Sequence, residues 1–338
     1  MGKEKISIIF CQSSIKVSTT LVCYEQERLI GNKVFIVVRN VESTYKFLKS
    51  LNLDASVIWF DNHLTSKRWY LKPITINNKV KEDIYSLKIS KNEIDHVFFT
   101  SLCDDLLMGC YLRQFDRKSI VKLQGRADIL NGIDSYVLPR NSYPIKLKFL
   151  CLVFSIILRY RFRIQTVATP VFAIDIGYYR YPFFDGSDMG VCERYKYQLS
   201  GYSKRKALVY ASEYTDFYRN REDYVNSFVT SIKYLQRKGY DVYVKGHPRL
   251  GTLREALDIA DFEIPAYVPA EFLDYSNFSL SIGLTTAALC YAASKIKSYS
   301  ILPLTSMIYD ERYTGWCNYL DKTSNYRVLY PKTWEEIE

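Results

Sequence analysis

Several features that would place a chain in a familiar class are missing from these 338 residues. No apolar run could span a membrane, because the longest one, residues 149–158, is about half of the ~20 residues that a span needs. The first residues, Met1-Gly2-Lys3-Glu4-Lys5, lead into a strand without the apolar stretch of a signal peptide. We therefore expect a cytoplasmic protein.

The common signatures of metal and nucleotide sites are also absent. The chain contains no GxGxxG dinucleotide fingerprint, no phosphate-binding P-loop and no Cys/His spacing typical of a metal site. Its eight cysteines show no two-residue spacing, and several lie within apolar runs. This pattern predicts buried free thiols in a reducing compartment rather than a disulfide framework. No metal and no cofactor are expected.

The overall composition is that of a globular protein with an anionic partner. Hydrophobic residues make up 48% of the chain and charged residues 24%, and the length suits two domains. The net charge of +10 favours a nucleotide sugar, an acidic glycan, a membrane surface or nucleic acid. Because the basic residues are scattered, nucleic acid is unsupported. Thirty tyrosines suit stacking on sugars and bases, with compositional drift as the alternative.

Strand-like runs alternate with helical segments through residues 6–123 and again through 207–303, which predicts an α/β fold with two parallel sheets. Residues 61–90 are less regular, and residues 175–205 read as an interdomain linker. Two such Rossmann-like domains facing a central cleft describe the GT-B architecture. The predicted divisions are an amino-terminal domain, a carboxy-terminal domain and a tail of helices packing back across the domain boundary, at 1–200, 201–305 and 306–338.

The apolar run at residues 149–158 leads into the basic and aromatic segment 159–163. An apolar helix with such an end favours peripheral contact with an anionic membrane. The alternative is a core helix with a solvated basic end.

A short strand, residues 241–244, ends in a basic turn that holds His247. Pro248 directly follows and disfavours helix, so the imidazole is expected at the carboxyl edge of the strand. An imidazolium there could bind a phosphate or protonate a leaving phosphate, with Lys245 and Arg249 adding positive charge. The other two histidines are expected to be structural or exposed.

Two further features follow in the same α/β stretch. Thr285 and Thr286 come after Gly283 and open an alanine-rich helix, where hydroxyls and backbone amides could cradle a phosphate. Simple helix capping by threonine is the alternative. Glu271 could accept hydrogen bonds from a ribose, or could be a first-turn glutamate favoured by the helix dipole.

The order Lys-x-His-Pro-Arg, Pro-x-Glu and a hydroxyl pair before Ala-Ala resembles that of bacterial GT-B sialyltransferases, including lipooligosaccharide sialyltransferases and polysialyltransferases. The resemblance covers mainly residues 207–300. It implies that His247 acts on the CMP phosphate as a general acid or electrostatic stabiliser. It also implies that Glu271 binds the cytidine ribose. The remaining donor-binding residues that it implies are Lys245, Pro248, Arg249, Thr285 and Thr286.

The acidic motif of that family, two carboxylates followed by glycine, is not matched. The nearest stretch, residues 130–136, contains Gly132 but neither carboxylate. Inverting transfer needs a base for the acceptor hydroxyl. Asp134 and Asp128 are the nearest substitutes for the missing carboxylates, and Asp134 is the choice. Rival carboxylates stand in Phe184-Asp185-Gly186-Ser187 and in Asp104-Asp105, the latter more typical of a helix start.

The resemblance therefore predicts an inverting, metal-independent sialyltransferase, whose donor substrate is CMP-sialic acid. The absence of Asp-x-Asp argues against the metal-dependent GT-A class. The acceptor would be an oligosaccharide of a bacterial surface polysaccharide (O-antigen, capsule or lipooligosaccharide), carried on a lipid, at the inner face of the cell membrane. No nucleic acid partner is expected. The alternatives are a CMP-Kdo transferase, a CDP-glycerol phosphotransferase and a non-catalytic glycan- or nucleotide-binding protein.

Overall fold

The computed structural model divides into two compact units, unit 1 (Met1–Val191) and unit 2 (Cys192–Glu338). This division in the sequence falls after Val191, against a predicted boundary after residue 200. The residues that the structure describes are 5–12, 16–39, 41–61, 73–99, 106–124, 162–165, 170–174, 183–186, 188, 190–199, 205–305 and 310–338.

Unit 1 is built on a parallel sheet whose strands are rich in β-branched and aromatic residues. Its strands are β1 (Ile6–Cys11), β2 (Lys33–Arg39), β3 (Ser56–Phe60), β4 (Ile94–Phe99), β5 (Ile120–Gln124), β6 (Phe162–Gln165), β7 (Pro170–Ile174) and β8 (Phe183–Asp185). Its helices are α1 (Val17–Leu29), α2 (Glu42–Ser50), α3 (Pro73–Ser86) and α4 (Leu106–Leu112), and α5 (Val191–Arg194) lies at the division between the units. Six strands pair in the order β3-β2-β1-β4-β5-β8, and β6 pairs antiparallel with β7.

The central strand β1 is buried along its whole length, as expected of a parallel strand covered on both faces. Alternate residues Ile8 and Phe10 belong to one core cluster together with Val97 and Phe99 of β4. Tyr111 of α4 closes this cluster, with its ring centroid 5.6 Å from that of Phe10.

Unit 2 repeats the same plan. Its strands are β9 (Lys206–Tyr210), β10 (Asp241–Lys245), β11 (Phe262–Ile264), β12 (Leu280–Gly283), β13 (Lys297–Ser300) and β14 (Val328–Leu329), and its helices are α6 (Arg221–Arg237), α7 (Arg254–Leu257), α8 (Ala288–Ala293) and α9 (Asp310–Ser324). All six strands are parallel in the order β11-β10-β9-β12-β13-β14. Both six-stranded sheets thus have the 3-2-1-4-5-6 order of a Rossmann fold. The prediction of two Rossmann-like α/β domains is confirmed.

Helix α6 shows how local sequence sets an element of this fold. The Asn220 side chain accepts a hydrogen bond from the first turn, and the chain leaves the helix through Gly239 at φ +79°. One stripe at helical spacing is buried against the sheet: Tyr224, Phe228, Ser231, Ile232 and Leu235. The bounds of this helix thus follow from its cap, its buried stripe and its terminal glycine.

Two local predictions were wrong and a third was incomplete. Residues 61–90 contain a regular helix, α3, whose buried stripe is limited to Ile76, Asn77 and Val80 among polar neighbours. The predicted linker 175–205 contains β8 and α5. The tail was expected to be helical, yet it supplies strand β14 as well as α9, because pairing with β13 decides the state of this short segment. The packing of the tail across the domain boundary stays a prediction.

Within the described ranges, no helix is both long and apolar enough to cross a bilayer. Of the apolar and basic segment at 149–163, residues 149–161 lie outside the described residues, and Phe162 begins β6. Cys23, Cys290 and Cys317 are free thiols, the first two of them buried.

A buried polar network joins β1, α1 and β4 near the amino ends of the strands. The Glu27 carboxylate accepts hydrogen bonds from Ser7, from Asn32 Nδ2 at 2.9 Å and from His96 Nδ1 at 3.0 Å. Hydrogen bonding to Glu27 raises the pKa of His96. Burial alone would raise the pKa of Glu27, but the bonds from His96, Ser7 and Asn32 lower it. His96 is therefore a structural residue of unit 1.

We expect His96→Ala to lower the free energy of unfolding of unit 1 by about 2 kcal/mol, the usual cost of losing a hydrogen bond to a charged group. The stabilisation from His96 is complete below its ordinary pKa of about 6.5 and is lost as the pH rises through its raised pKa. The stabilisation from Glu27 is present above about 4.3 and is lost as the pH falls through its lowered pKa. The loss should therefore be largest between about pH 5 and 6.5. Calorimetric melting at about pH 6 and pH 9 measures this loss of stability, with the exposed Lys91→Ala as control. An equal loss in His96→Ala at the two pH values would contradict the ion pair.

Candidate functional site

The residues singled out in the second half of the sequence cluster at one edge of the unit 2 sheet. Strands β9, β10 and β12 end at Tyr210, Lys245 and Gly283, and the carboxyl ends of parallel strands lie at one edge. Ligands of open α/β sheets bind at this edge, where the strand order reverses. In unit 2 the order reverses between β9 and β12.

Lys245 is a buried cation at the end of β10. Strand alternation sends Val244 into the main core and turns Lys245 to the other face, beside its register partner Tyr210. Only 2% of Lys245 is exposed, and its Nζ donates a hydrogen bond to the Gly246 carbonyl at 3.0 Å. Desolvation lowers the pKa of Lys245 to about 8, while Glu271 opposes this shift. The ammonium still has donor capacity for an anionic group.

Glu271 stands in a 3₁₀ turn, Ala270–Phe272, that follows Pro269. Its Oε1 is buried and has no hydrogen-bond partner in the described part of the chain. Burial raises the pKa of Glu271 to about 8, and the charge of Lys245 opposes this shift. Glu271 and Lys245 thus act on each other electrostatically. A buried acceptor without a donor is costly, which makes this oxygen suited to the hydroxyls of a ligand.

Two buried tyrosines hold the Glu271 turn in place. The Tyr275 hydroxyl donates to the Ala270 carbonyl at 2.9 Å and lies 2.7 Å from the Tyr210 hydroxyl. Because Tyr275 donates its hydroxyl hydrogen to the Ala270 carbonyl, Tyr210 is the donor in the bond between the two tyrosines. Burial raises the pKa of both phenols, so both stay protonated. No local pattern in the sequence predicts this pair, since the two residues are 65 positions apart.

The turn that carries His247 depends on two glycines. The His247 amide donates to the Gly251 carbonyl at 3.0 Å, and the Gly251 amide donates to the His247 carbonyl at 2.8 Å. Gly251 has φ +88°, in the left-handed region. A Cβ on Gly246 would lie 2.4 Å from the Gly251 carbonyl oxygen. The chain therefore reverses directly after β10 and leaves the imidazole at the edge of the sheet, as predicted from Pro248.

The His247 ring is oriented by its own turn. Its Nδ1 accepts a hydrogen bond from the Arg249 amide at 3.1 Å, so the neutral ring carries its proton on Nε2. In the described part of the chain, Nε2 makes no hydrogen bond. Partial desolvation, together with the charges of Lys245 and Arg249, lowers the pKa of His247. The geometry favours a neutral Nε2–H donor over the imidazolium considered from the sequence.

The two threonines have different partners. Thr286 Oγ1 accepts from the Ala288 amide at 3.3 Å, which is a local turn contact, and α8 begins at Ala288 rather than at the threonines. Thr285 Oγ1 instead lies 2.6 Å from the Tyr218 hydroxyl, in the loop that follows β9. The predicted phosphate contacts of both threonines stay predictions.

Of the carboxylates considered as the base, only Asp185 is described. It is the last residue of β8 and lies at the carboxyl edge of the unit 1 sheet rather than in a linker. Gly186 follows it in close packing against α1, where a Cβ would lie 2.4 Å from Thr19 Cγ2. The remaining carboxylates lie outside the described residues: Asp104, Asp105, Asp128 and Asp134. The assignment of the base to Asp134 stays a prediction.

No group of three or more His, Cys, Asp or Glu side chains that could hold a metal ion occurs among the described residues. The expectation of a metal-independent site stays a prediction.

No protein-family model matches the chain, and no curated protein matches it. Among solved structures, the GT-B domain of a sialyltransferase from Photobacterium damselae shares 12% identity and a TM-score of 0.52, over 96% of this chain and 99% of that one. A sialyltransferase from Photobacterium damsela has 12% identity and a TM-score of 0.48, over 97% and 81%. A glycosyltransferase family 9 protein from Veillonella parvula has 9% identity and a TM-score of 0.42, over 98% and 88%. The match to the GT-B domain, with a TM-score of 0.52, shows that the chain has the GT-B fold, and an identity of 12% shows the fold alone.

We expect the double variant Lys245→Met/Glu271→Gln to be as stable as the wild type, or up to about 2 kcal/mol more stable, because it removes a poorly compensated buried ammonium and a buried carboxyl group. Lys245→Met alone should be less stable than the double variant at pH 7, since burial raises the pKa of Glu271 to about 8 and folding must keep this carboxyl protonated above its ordinary pKa. Calorimetric melting at pH 7 measures both.

The matched control is Arg221→Met/Glu255→Gln, which removes an exposed ion pair of 2.6 Å from the same unit and should cost little stability. Pyrophosphate binding should be lost in the Lys245/Glu271 double variant and kept in the control. A large fall in stability of the Lys245/Glu271 double variant would show that the pair serves the fold instead of a ligand.

Proposed function

We propose that the chain is an inverting, metal-independent glycosyltransferase that transfers sialic acid from CMP-sialic acid to a sugar hydroxyl of a bacterial surface polysaccharide. The observation that carries the proposal is the buried Lys245 beside Glu271, whose Oε1 lacks a donor, at the carboxyl edge of the second Rossmann sheet. The motif order that resembles bacterial sialyltransferases and the GT-B fold support it.

In this proposal the carboxyl edge of unit 2 binds the CMP half of the donor. Lys245 places positive charge near the phosphate, and His247 donates a hydrogen bond to it from Nε2. The Thr285 hydroxyl supplies a further donor. Glu271 accepts the ribose hydroxyls, which would satisfy its buried oxygen. Pro248 and Arg249 shape the turn, since the Arg249 amide orients the His247 ring.

The reaction balances without a metal. A carboxylate of unit 1, Asp134 or its rival Asp185, takes the proton of the acceptor hydroxyl as the oxygen attacks the anomeric carbon. The bond from that carbon to CMP breaks through an oxocarbenium-like state, and the electron pair leaves on the phosphate oxygen. Lys245 and His247 stabilise the departing charge, and one such preorganised donor is worth on the order of 10²-fold in rate.

The acceptor in this proposal is an oligosaccharide on a lipid carrier. The net charge of +10 would favour an anionic membrane surface and an anionic donor alike. Peripheral association at the inner face of the membrane is part of the same proposal.

A donor panel tests the reaction. Purified protein with CMP-Neu5Ac and an oligosaccharide acceptor should release CMP and form a sialylated product, while CMP-Kdo and CDP-glycerol should not be used. Turnover of only the last two would refute sialyl transfer and favour a different GT-B transferase. Calorimetric binding of CMP without transfer or donor hydrolysis would indicate a non-catalytic nucleotide-binding protein.

His247→Ala should lower kcat by on the order of 10²-fold or more, because it removes a donor to the leaving phosphate, and should leave the melting temperature close to the wild-type value. His247→Gln keeps an N–H donor that cannot become charged, and we expect it to retain more activity than the alanine variant. Steady-state rates with CMP-Neu5Ac measure both. Near-wild-type activity of His247→Ala would remove the histidine from the mechanism, and equal losses in the two variants would favour proton transfer over hydrogen bonding.

A further inference from the structure

We propose that Tyr218 is a positioning residue of the ligand site, which orients the Thr285 hydroxyl toward an anionic group of the ligand. It lies in the loop between β9 and α6, and its hydroxyl is 2.6 Å from Thr285 Oγ1 although the residues are 67 positions apart. The inference rests on the proposed function only in taking the phosphate of the ligand to lie at this edge.

The topology of unit 2 places this contact where a ligand is expected. Tyr218 follows β9 and Thr285 follows β12, and these two adjacent strands are the ones between which the strand order reverses. In open parallel sheets, that reversal opens the crevice in which ligands bind. The contact therefore lies beside the switch point of the sheet.

The Tyr218 ring is held firmly without help from its hydroxyl. Its centroid lies 4.5 Å from that of Tyr224 on α6 and 5.1 Å from that of Phe217. The Tyr214 hydroxyl donates to the Tyr218 carbonyl at 2.8 Å and fixes the backbone as well. Because ring packing and the backbone bond hold the loop, the hydroxyl can serve the site.

The two hydroxyls together can donate one hydrogen bond to a ligand. Tyr218 and Thr285 each carry one hydroxyl proton, and one of these two protons is used in the hydrogen bond between them. In the part of the chain that the structure describes, neither hydroxyl has a second hydrogen-bond partner. Desolvation raises the pKa of Tyr218, so the phenol keeps its proton. The pair therefore presents one O–H to an acceptor, as suits an anion.

Either hydroxyl of the pair could donate, and because the phenol is the more acidic one we take Tyr218 as the donor, which leaves the remaining proton on Thr285. The bond fixes the rotamer of Thr285 and polarises its hydroxyl, which strengthens the bond that it donates to a phosphate oxygen. Tyr218 thus acts on the ligand through Thr285, and its effect should disappear when the Thr285 hydroxyl is removed.

A double-mutant cycle tests this dependence. Tyr218→Phe keeps the ring and Thr285→Val keeps the β-branched shape, so both variants remove only a hydroxyl. We expect Tyr218→Phe to weaken CMP binding about fivefold and Thr285→Val about tenfold, as for one hydrogen bond each. The double variant should match Thr285→Val instead of multiplying the losses. Calorimetry gives the Kd values, and melting temperatures should stay near the wild-type value.

The control is Tyr299→Phe, which removes a hydroxyl elsewhere in unit 2 that bonds a backbone carbonyl, that of Glu338. Any loss of affinity that it causes should combine independently with that of Thr285→Val. Unchanged binding in Tyr218→Phe, or independent losses for Tyr218 and Thr285, would overturn the inference. The cycle is repeated with pyrophosphate as the probe. If the wild type binds pyrophosphate but not CMP, the proposed donor CMP-sialic acid is refuted. The pyrophosphate cycle then still tests whether Tyr218 acts through Thr285. Binding of neither probe would overturn both.

Discussion

The buried ammonium of Lys245 is the group around which the other polar residues at the carboxyl edge of unit 2 are arranged. Strand alternation in β10 turns this side chain away from the main core. Lys245 is nevertheless only 2% exposed, and desolvation lowers its pKa. The charge of an ionised Glu271 opposes this desolvation, and the Tyr210–Tyr275 bond holds the turn that carries Glu271. We expect the arrangement to cost stability, as buried ionisable groups at ligand sites commonly do.

The two units share one strand order but use their buried polar groups differently. In unit 1, Ser7, Glu27, Asn32 and His96 satisfy one another near the amino ends of the strands. Such a satisfied network stabilises the fold. In unit 2, the polar groups at the carboxyl ends include an acceptor, on Glu271, without a donor among the described residues. The first network serves the fold, and we propose that the second group of residues serves a ligand.

Local pattern predicted those elements whose burial is strongly periodic. Helix α6 has a cap, a buried stripe and a terminal glycine, and its bounds follow from these residues. Helix α3 was missed because its buried positions are few among polar residues. The short strands β8 and β14 were missed because segments of three and two residues are too short to show an alternation of apolar and polar residues. Their extended conformation depends on pairing, of β8 with β5 and of β14 with β13.

By itself, the sequence determined the alternation of strands and helices, the placement of His247 at the end of β10 and the glycine-dependent turn that holds it. These features depend on residues within a few positions of one another. Only the tertiary structure decided that Lys245 lies near Glu271, that Tyr210 donates to Tyr275, and that Thr285 is paired with Tyr218. The physical reason is that these partners come from loops after different strands. Strand order and register bring them together, and no local spacing encodes either.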